Sequence, residues 1–194
     1  MTVRRFIVVD GLDGCGKDTH ARRIAEILSS KGEEVTLVSH PSQRMMGRLS
    51  KRALEDSGPC ARLFATVFYT ADVIASVIRM RRQRDRTVIF VRYLLGAAYL
   101  PSALAPHGYS LFRRLLPFPD LALFIDIDPE VALRRIEARD HAREMFENIH
   151  ELRRRRAIAV RLTAADRWVR VDNSEDGDRA FREVERVLAS HGML

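Results

Sequence analysis

The sequence predicts an α/β protein built on a parallel sheet, and three observations carry that prediction. First, the apolar run Phe6 to Val9 reads as a buried strand that passes, through the glycine-rich turn Gly11 to Thr19, into a helix bearing apolar Ile24, Ile27 and Leu28. Second, Lys31-Gly32 ends that helix and Glu34 to Ser39 supplies another strand, so strand, helix and strand form a parallel crossover unit. Third, the apolar runs at Thr87 to Phe90, Leu121 to Asp126 and Trp168 to Val171 repeat the strand pattern with helical segments between them. The expectation is a single domain over residues 1–194, a five-stranded parallel sheet flanked by helices in a three-layer sandwich. With 46% hydrophobic residues the chain can bury a full core without disulfides or metal.

The turn after the first strand, GLDGCGKDT, is where chemistry is expected. Gly11, Gly14 and Gly16 can take backbone angles closed to other residues and fold amide groups round an anion, and the helix N-terminus adds the positive end of its dipole. Lys17 supplies a point charge for the outer phosphates of a nucleotide. The spacing is that of a phosphate-binding loop, G-x-x-x-x-G-K-[S/T], with Asp18 in the last place and Thr19 after it, so the fold is expected to be of the P-loop NTPase type. Cys15 and Cys60 are isolated thiols without metal-ligand spacing, which suits a reducing cytoplasm. Beside a helix N-terminus, Cys15 is expected to have a lowered pKa and to be open to alkylation.

The formal charge of +7 comes almost wholly from arginine, only Lys17, Lys31 and Lys51 being lysine. The basic concentrations, Arg79 to Arg86 and Arg134 to Arg156, lack the aromatic interleaving that base stacking needs, which argues for a polyphosphate ligand and against nucleic acid. The apolar run after Arg4-Arg5 is short and ends at Asp10, so it is neither a secretory signal nor a membrane span.

In chain order, His40-Pro41-Ser42 follows the second strand at the sheet edge where ligands bind in such folds, and Gly47 to Arg52 reads as a short helix whose cations either reach a phosphate or are simply exposed. Cys60 to Arg82 reads as a long helix with Phe64, Phe68 and Ala71 on one stripe and Tyr69 and Asp72 beside it. Arg92, just past the third strand, emerges at the same edge as the phosphate loop. Leu94 to Leu116 is expected to cover the side of the site as short helices. Asp126 faces either core or site, whereas Asp128, with Pro129 and Glu130 after it, reads as a helix cap. Arg134 to Arg156 has the composition of a mobile lid, and Arg135, Arg139 and Arg143 recur every four residues on one helical face. Asp178 to Ser190 is the last helix.

Taken together, FIVVDGLDGCGKDT, SHP, LFATVFYTAD, VRY, PDLALFIDIDPEVALRRIEAR and WVRVDNSEDG, in this order, resemble the thymidylate kinases, in their shorter archaeal or bacterial-like form. The resemblance implies transfer of the γ-phosphoryl group of ATP to dTMP with magnesium, in a cytoplasmic homodimer that binds neither nucleic acid nor membrane. It also implies roles: Lys17 and the amides from Gly14 to Thr19 on the ATP phosphates, with Asn173 to Gly177 against adenine. Asp13 would meet the deoxyribose 3′-hydroxyl and help place magnesium, and His40, Pro41 and Asp72 would line the acceptor site. Tyr69 would stack on thymine, Arg92 would bind the acceptor phosphate, and Arg135, Arg139 and Arg143 would be the catalytic lid arginines.

Three positions depart from the family pattern: Val91 stands where it has Asp, Asp18 where it has Ser or Thr, and Val73 where it has Arg. The first two are read as compensating, Asp18 supplying the carboxylate that Val91 removes, so Asp18 joins Asp13 as a metal candidate. Val73 leaves open a kinase for another deoxynucleoside monophosphate, and Val73 together with Val91 a nucleotide-binding relative with weak or no transfer and a regulatory role.

Overall fold

The computed structural model describes residues 4–43, 48, 59–83, 86–138, 148–175 and 178–194. Its centre is a five-stranded sheet in the order β2-β3-β1-β4-β5, made of β1 (Arg5–Gly11), β2 (Val35–Ser39), β3 (Thr87–Val91), β4 (Leu121–Asp126) and β5 (Trp168–Asp172). All pairings are parallel, with Val9 opposite Val91 and Leu123, so the carboxyl ends of the strands align. From β1 the chain crosses to β2 at one edge, returns to β3 beside β1, and then passes to β4 and β5 on the other side, which leaves a crevice above β1.

Side-chain alternation along the strands builds two cores. Ile7, Val9, Ile89, Leu123 and Ile125 face one way and are covered by helix α1 (Lys17–Ser30), through Ala21, Ile24 and Leu28. The same layer takes α4 (Pro129–Glu137) and α6 (Arg179–Ser190), the latter through Phe181, Val184 and Leu188. Phe6, Val8, Val88, Phe90 and Phe124 face the other way, against α2 (Pro59–Met80), α3 (Ala105–Leu115) and part of α5 (Ile149–Ala164).

The expected elements match to within a residue or two, and the Asp128 cap is present: its carboxylate accepts from the amides of Glu130 and Val131 at 3.0 and 3.4 Å. Of the segment expected to form a lid, the start completes α4 and the end is the first half of α5, both packed on the sheet, and residues 139–147 between them lie outside the described residues. Arg139 and Arg143 lie outside the described residues, as does the expected helix near Gly47 to Arg52 apart from Arg48.

Asp126, left open between core and site, is fully buried and gripped by two arginines. Arg156 donates to both its oxygens at 3.0 Å, and Arg170 to Oδ2. Burial pushes this carboxyl up, but Arg156 and Arg170 outweigh it and hold it below its ordinary value. Its stabilising effect is therefore complete above the unfolded-state pKa and is lost as pH falls through the folded one. Asp126→Asn is expected to cost about 2 kcal/mol at pH 7, less than a fully enclosed pair because both arginines can turn to water. In urea unfolding the midpoints of variant and parent should converge below about pH 4.

Candidate active site

At the carboxyl edge of the sheet, the loops after the other four strands surround the turn between β1 and α1. Gly14 and Gly16 sit at φ 78° and 84°, the left-handed region that glycine tolerates. Gly14 also lies against α4, where a Cβ would come 2.7 Å from the Ala132 carbonyl oxygen. Lys17 is buried, its ammonium donating to the Leu12 carbonyl at 2.8 Å and lying 3.5 Å from Asp13 Oδ1. The loop is thus closed round its own lysine.

Asp10, at the end of β1, ties this loop to the turn after β3. Its carboxylate accepts from the amides of Gly11, Tyr93 and Leu95 at 2.9, 2.8 and 3.0 Å. Burial pushes the Asp10 carboxyl above its usual range, against the lowering effect of those bonds. Between the two tethers stands Arg92 at φ 60°, the one non-glycine residue with positive φ among those described. Such a conformation is strained and persists only where the surroundings impose it. Here the Arg92 amide donates to the Val9 carbonyl at 3.3 Å and its carbonyl takes His40 Nδ1 at 3.0 Å.

The strained turn aims the Arg92 guanidinium at Asp13 Oδ1, with which it forms an ion pair. Asp13 Oδ2 accepts from the Tyr99 hydroxyl at 2.6 Å, and Arg155 approaches it to 3.9 Å. Burial raises the Asp13 pKa, but Arg92, Lys17, the Tyr99 hydroxyl and Arg155 together hold it well below the usual carboxylate range. One carboxylate among three cations leaves an excess of positive charge, the electrostatics of a phosphate site.

On the other side of Arg92, His40 and Pro41 begin the loop after β2. Nδ1 of His40 donates to the Arg92 carbonyl at 3.0 Å, and Nε2 lies 2.8 Å from the Ser76 hydroxyl, which itself donates to the Asp72 carbonyl at 2.9 Å. Asp72 is buried and braces this loop, accepting from the amide and hydroxyl of Ser42, both at 2.6 Å. Tyr69 donates to the Tyr93 carbonyl at 3.1 Å and lies against Gly96, where a Cβ would come 2.6 Å from its ring. Val73 is buried with Val77 and Met80 in the core on this face of the sheet, so the position reads no ligand.

Beyond Gly16 lies an open groove of about 250 Å³, lined by Thr19, His20, Arg135, Asn173 and Phe181 among others. Asn173 donates to the Cys15 carbonyl at 2.8 Å, and Arg135 donates to the Asn173 carbonyl at 3.0 Å. Arg135 therefore lies at this groove, to one side of the Asp13 cluster. His20 stacks on Phe181 at 5.7 Å, and burial, followed by Arg23, lowers its pKa.

Two expectations change. Cys15 is fully buried, its sulfur packed under Gly11, and burial pushes its thiol up. The helix dipole acts, but desolvation of the thiolate is stronger. Iodoacetamide followed by peptide mapping should find Cys15 unmodified in native protein and modified in urea. The second concerns Asp13 as a metal candidate, which fits poorly because its oxygens already face cations and a hydroxyl. No cluster of three metal-ligating side chains occurs among the described residues.

Asp10, Tyr99 and Arg155 were not singled out from the sequence. Asp10 had a signal, an acid closing an apolar strand just before a glycine turn; Tyr99 and Arg155 had none beyond their composition.

The family model for thymidylate kinase matches residues 9–184. A thymidylate kinase of Xanthomonas campestris pv. campestris (strain B100) is 32% identical over 204 positions, covering 95% of this chain and 83% of that one. A probable thymidylate kinase of Pyrobaculum calidifontis is 30% identical, covering 95% and 98%. Among solved structures, thymidylate kinase from Candida albicans superposes with a TM-score of 0.77 at 19% identity, over 97% of this chain and 92% of that one.

Proposed function

The chain belongs to the thymidylate kinase family, ATP-dependent phosphotransferases, and from that premise we propose that it transfers the γ-phosphoryl group of ATP to dTMP, with dTDP and ADP as products. The observation that carries the reading is the closed phosphate loop set against a cluster of three cations round Asp13. Phosphoryl transfer asks a protein mainly for positioning and charge stabilisation, and both are present at one sheet edge. In this reading the loop amides and Lys17 hold the donor phosphates. Arg92, fixed by the strained turn, meets the acceptor phosphate, and Tyr69 walls the base.

The relatives support dTMP as acceptor and neither the regulatory reading nor another monophosphate. Val73, buried in the core, supplies no donor to the base. Magnesium would enter on the ATP phosphates and supply charge neutralisation there. Asp18, in the first turn of α1 and taking a hydrogen bond at 3.2 Å from Ser39, is the carboxylate that would meet it. Ser39 is the sheet partner of Val91, so Asp18 reaches toward the place left apolar by Val91, and one carboxylate with phosphates and water suffices for this ion.

We take residues 1–194 as one functional domain acting in the cytoplasm; among the described residues no helix is long and apolar enough to cross a membrane. Val67, Ile74 and Ile78 lie along one face of α2 and are 54%, 40% and 51% exposed, which supports a homodimer packed through that helix. Sedimentation should give twice the chain mass, and Ile74→Glu with Ile78→Glu should give the monomer.

The test of the function is coupled ADP production with ATP and magnesium against dTMP, dUMP, dCMP, dGMP, dAMP and no acceptor. Strong stimulation by dTMP is expected. No stimulation by any acceptor, from protein that binds ATP, overturns the reading.

A further inference from the structure

Arg153 to Arg156 is a run of four arginines on α5, and the helix sends each to a different place because successive residues are about 100° apart. Arg153 pairs with Glu130 on the surface. Arg154 donates to Glu151 at 2.8 Å and to the Leu100 carbonyl at 3.2 Å, and Arg156 reaches Asp126. Arg155 alone turns inward, its side chain 1% exposed against 58%, 34% and 29% for the other three.

A guanidinium taken wholly out of water needs compensation. Arg155 lies over the Tyr99 ring, 4.2 Å from its centroid, with Glu151 at 3.7 Å and Asp13 Oδ2 at 3.9 Å. Tyr99 is thereby held on its face by a cation and at its hydroxyl by Asp13. The two oxygens of Asp13 are divided accordingly: Oδ1 serves Lys17 and Arg92, the groups that face phosphate, and Oδ2 is anchored by Tyr99 and Arg155.

We infer that Arg155 is a positioning residue for phosphoryl transfer: through Tyr99 and Asp13 Oδ2 it fixes the Asp13 carboxylate, and so sets where Lys17 and Arg92 present their charge. The inference rests on the kinase reading for its kinetic consequence. Its structural part, an energetic coupling between Arg155 and Asp13, stands independently.

The test is a double-mutant cycle with Arg155→Met and Asp13→Asn, read by melting temperature and by steady-state kinetics. In the parent, Arg155→Met should lower kcat about 100-fold, the size of effect that follows an ångström-scale misplacement, with KM for ATP changed less than about threefold. Arg155→Lys, which keeps the charge but not the planar stack, should recover at least about tenfold of that loss. Arg155→Met should lower the melting temperature of the parent and lower that of Asp13→Asn clearly less, because there the buried cation has already lost one of its two carboxylates and keeps only Glu151. An equal fall in both backgrounds with kcat unchanged means that Arg155 only packs, and overturns the inference. Should Asp13→Asn not fold, Tyr99→Phe replaces it in the cycle: the kcat effect of Arg155→Met should shrink to less than about tenfold there. A full effect in that background overturns the inference. If the parent transfers phosphate to no acceptor the kinase reading fails, and the melting-temperature cycle still decides whether Arg155 and Asp13 are coupled.

Discussion

Lys17→Met is expected to lower kcat for dTMP phosphorylation by about a thousandfold while leaving the protein folded. Lys17 is 2% exposed and its ammonium is held by the Leu12 carbonyl at 2.8 Å and Asp13 at 3.5 Å, so it is already positioned and desolvated before nucleotide arrives. Preorganised charge of this kind acts on the transition state without reorganisation at the moment of reaction. Arg92 and Arg155 cannot substitute for it, because one is fixed by the turn after β3 and the other lies on the far oxygen of Asp13. Methionine keeps the length and apolar stem, so the burial within the loop is preserved. Asp13 would lose one of the cations that lower its pKa, but Arg92, the strongest of these, remains. The measurement is coupled ADP production beside a thermal melt. Activity within tenfold of the parent would show that Lys17 is not the charge on the donor phosphates.

The legible parts of this molecule were those where local residue types have one physical solution. Glycines spaced between an apolar strand and an amphipathic helix can hardly do anything but form an anion-binding turn, and Asp128-Pro129-Glu130 can hardly do anything but start a helix. What was hidden depends on pairs distant in sequence. Tyr99 and Arg155 matter because they meet Asp13 across 86 and more residues, and nothing in a run of four arginines says which one turns inward. Cys15 shows the same limit from the other side. Its neighbours in sequence predict a reactive thiol, whereas its neighbours in space, with Gly11 above the sulfur, exclude water and reagent alike. Val73 and Asp72 sit side by side in sequence, yet one joins the core and the other clamps Ser42 beneath the loop after β2.

Gly14→Ala is expected to damage stability and activity together, and comparison with Gly32→Ala separates the causes. Both glycines are left-handed, at φ 78° and 85°, so alanine at either position pays about 1–2 kcal/mol for the backbone conformation. At Gly32 nothing lies within 4 Å of the added methyl, and that conformational cost is the whole effect, with kcat unchanged. At Gly14 the methyl would meet the Ala132 carbonyl oxygen at 2.7 Å and its Cα at 3.1 Å. These are backbone atoms of α4, which is itself capped by Asp128 and packed on the sheet, so they cannot step aside as a flexible side chain would. The phosphate loop must move instead. Displacing it pulls the amides and Lys17 away from the donor phosphates, for an expected loss of about 100-fold or more in kcat/KM. The total destabilisation should reach about 3 kcal/mol, strain and clash together. Urea unfolding and the coupled assay on the two variants provide the check. Equal behaviour of the two would mean that the loop can shift relative to α4 at no cost, and that its closeness to that helix has no part in holding the phosphate site.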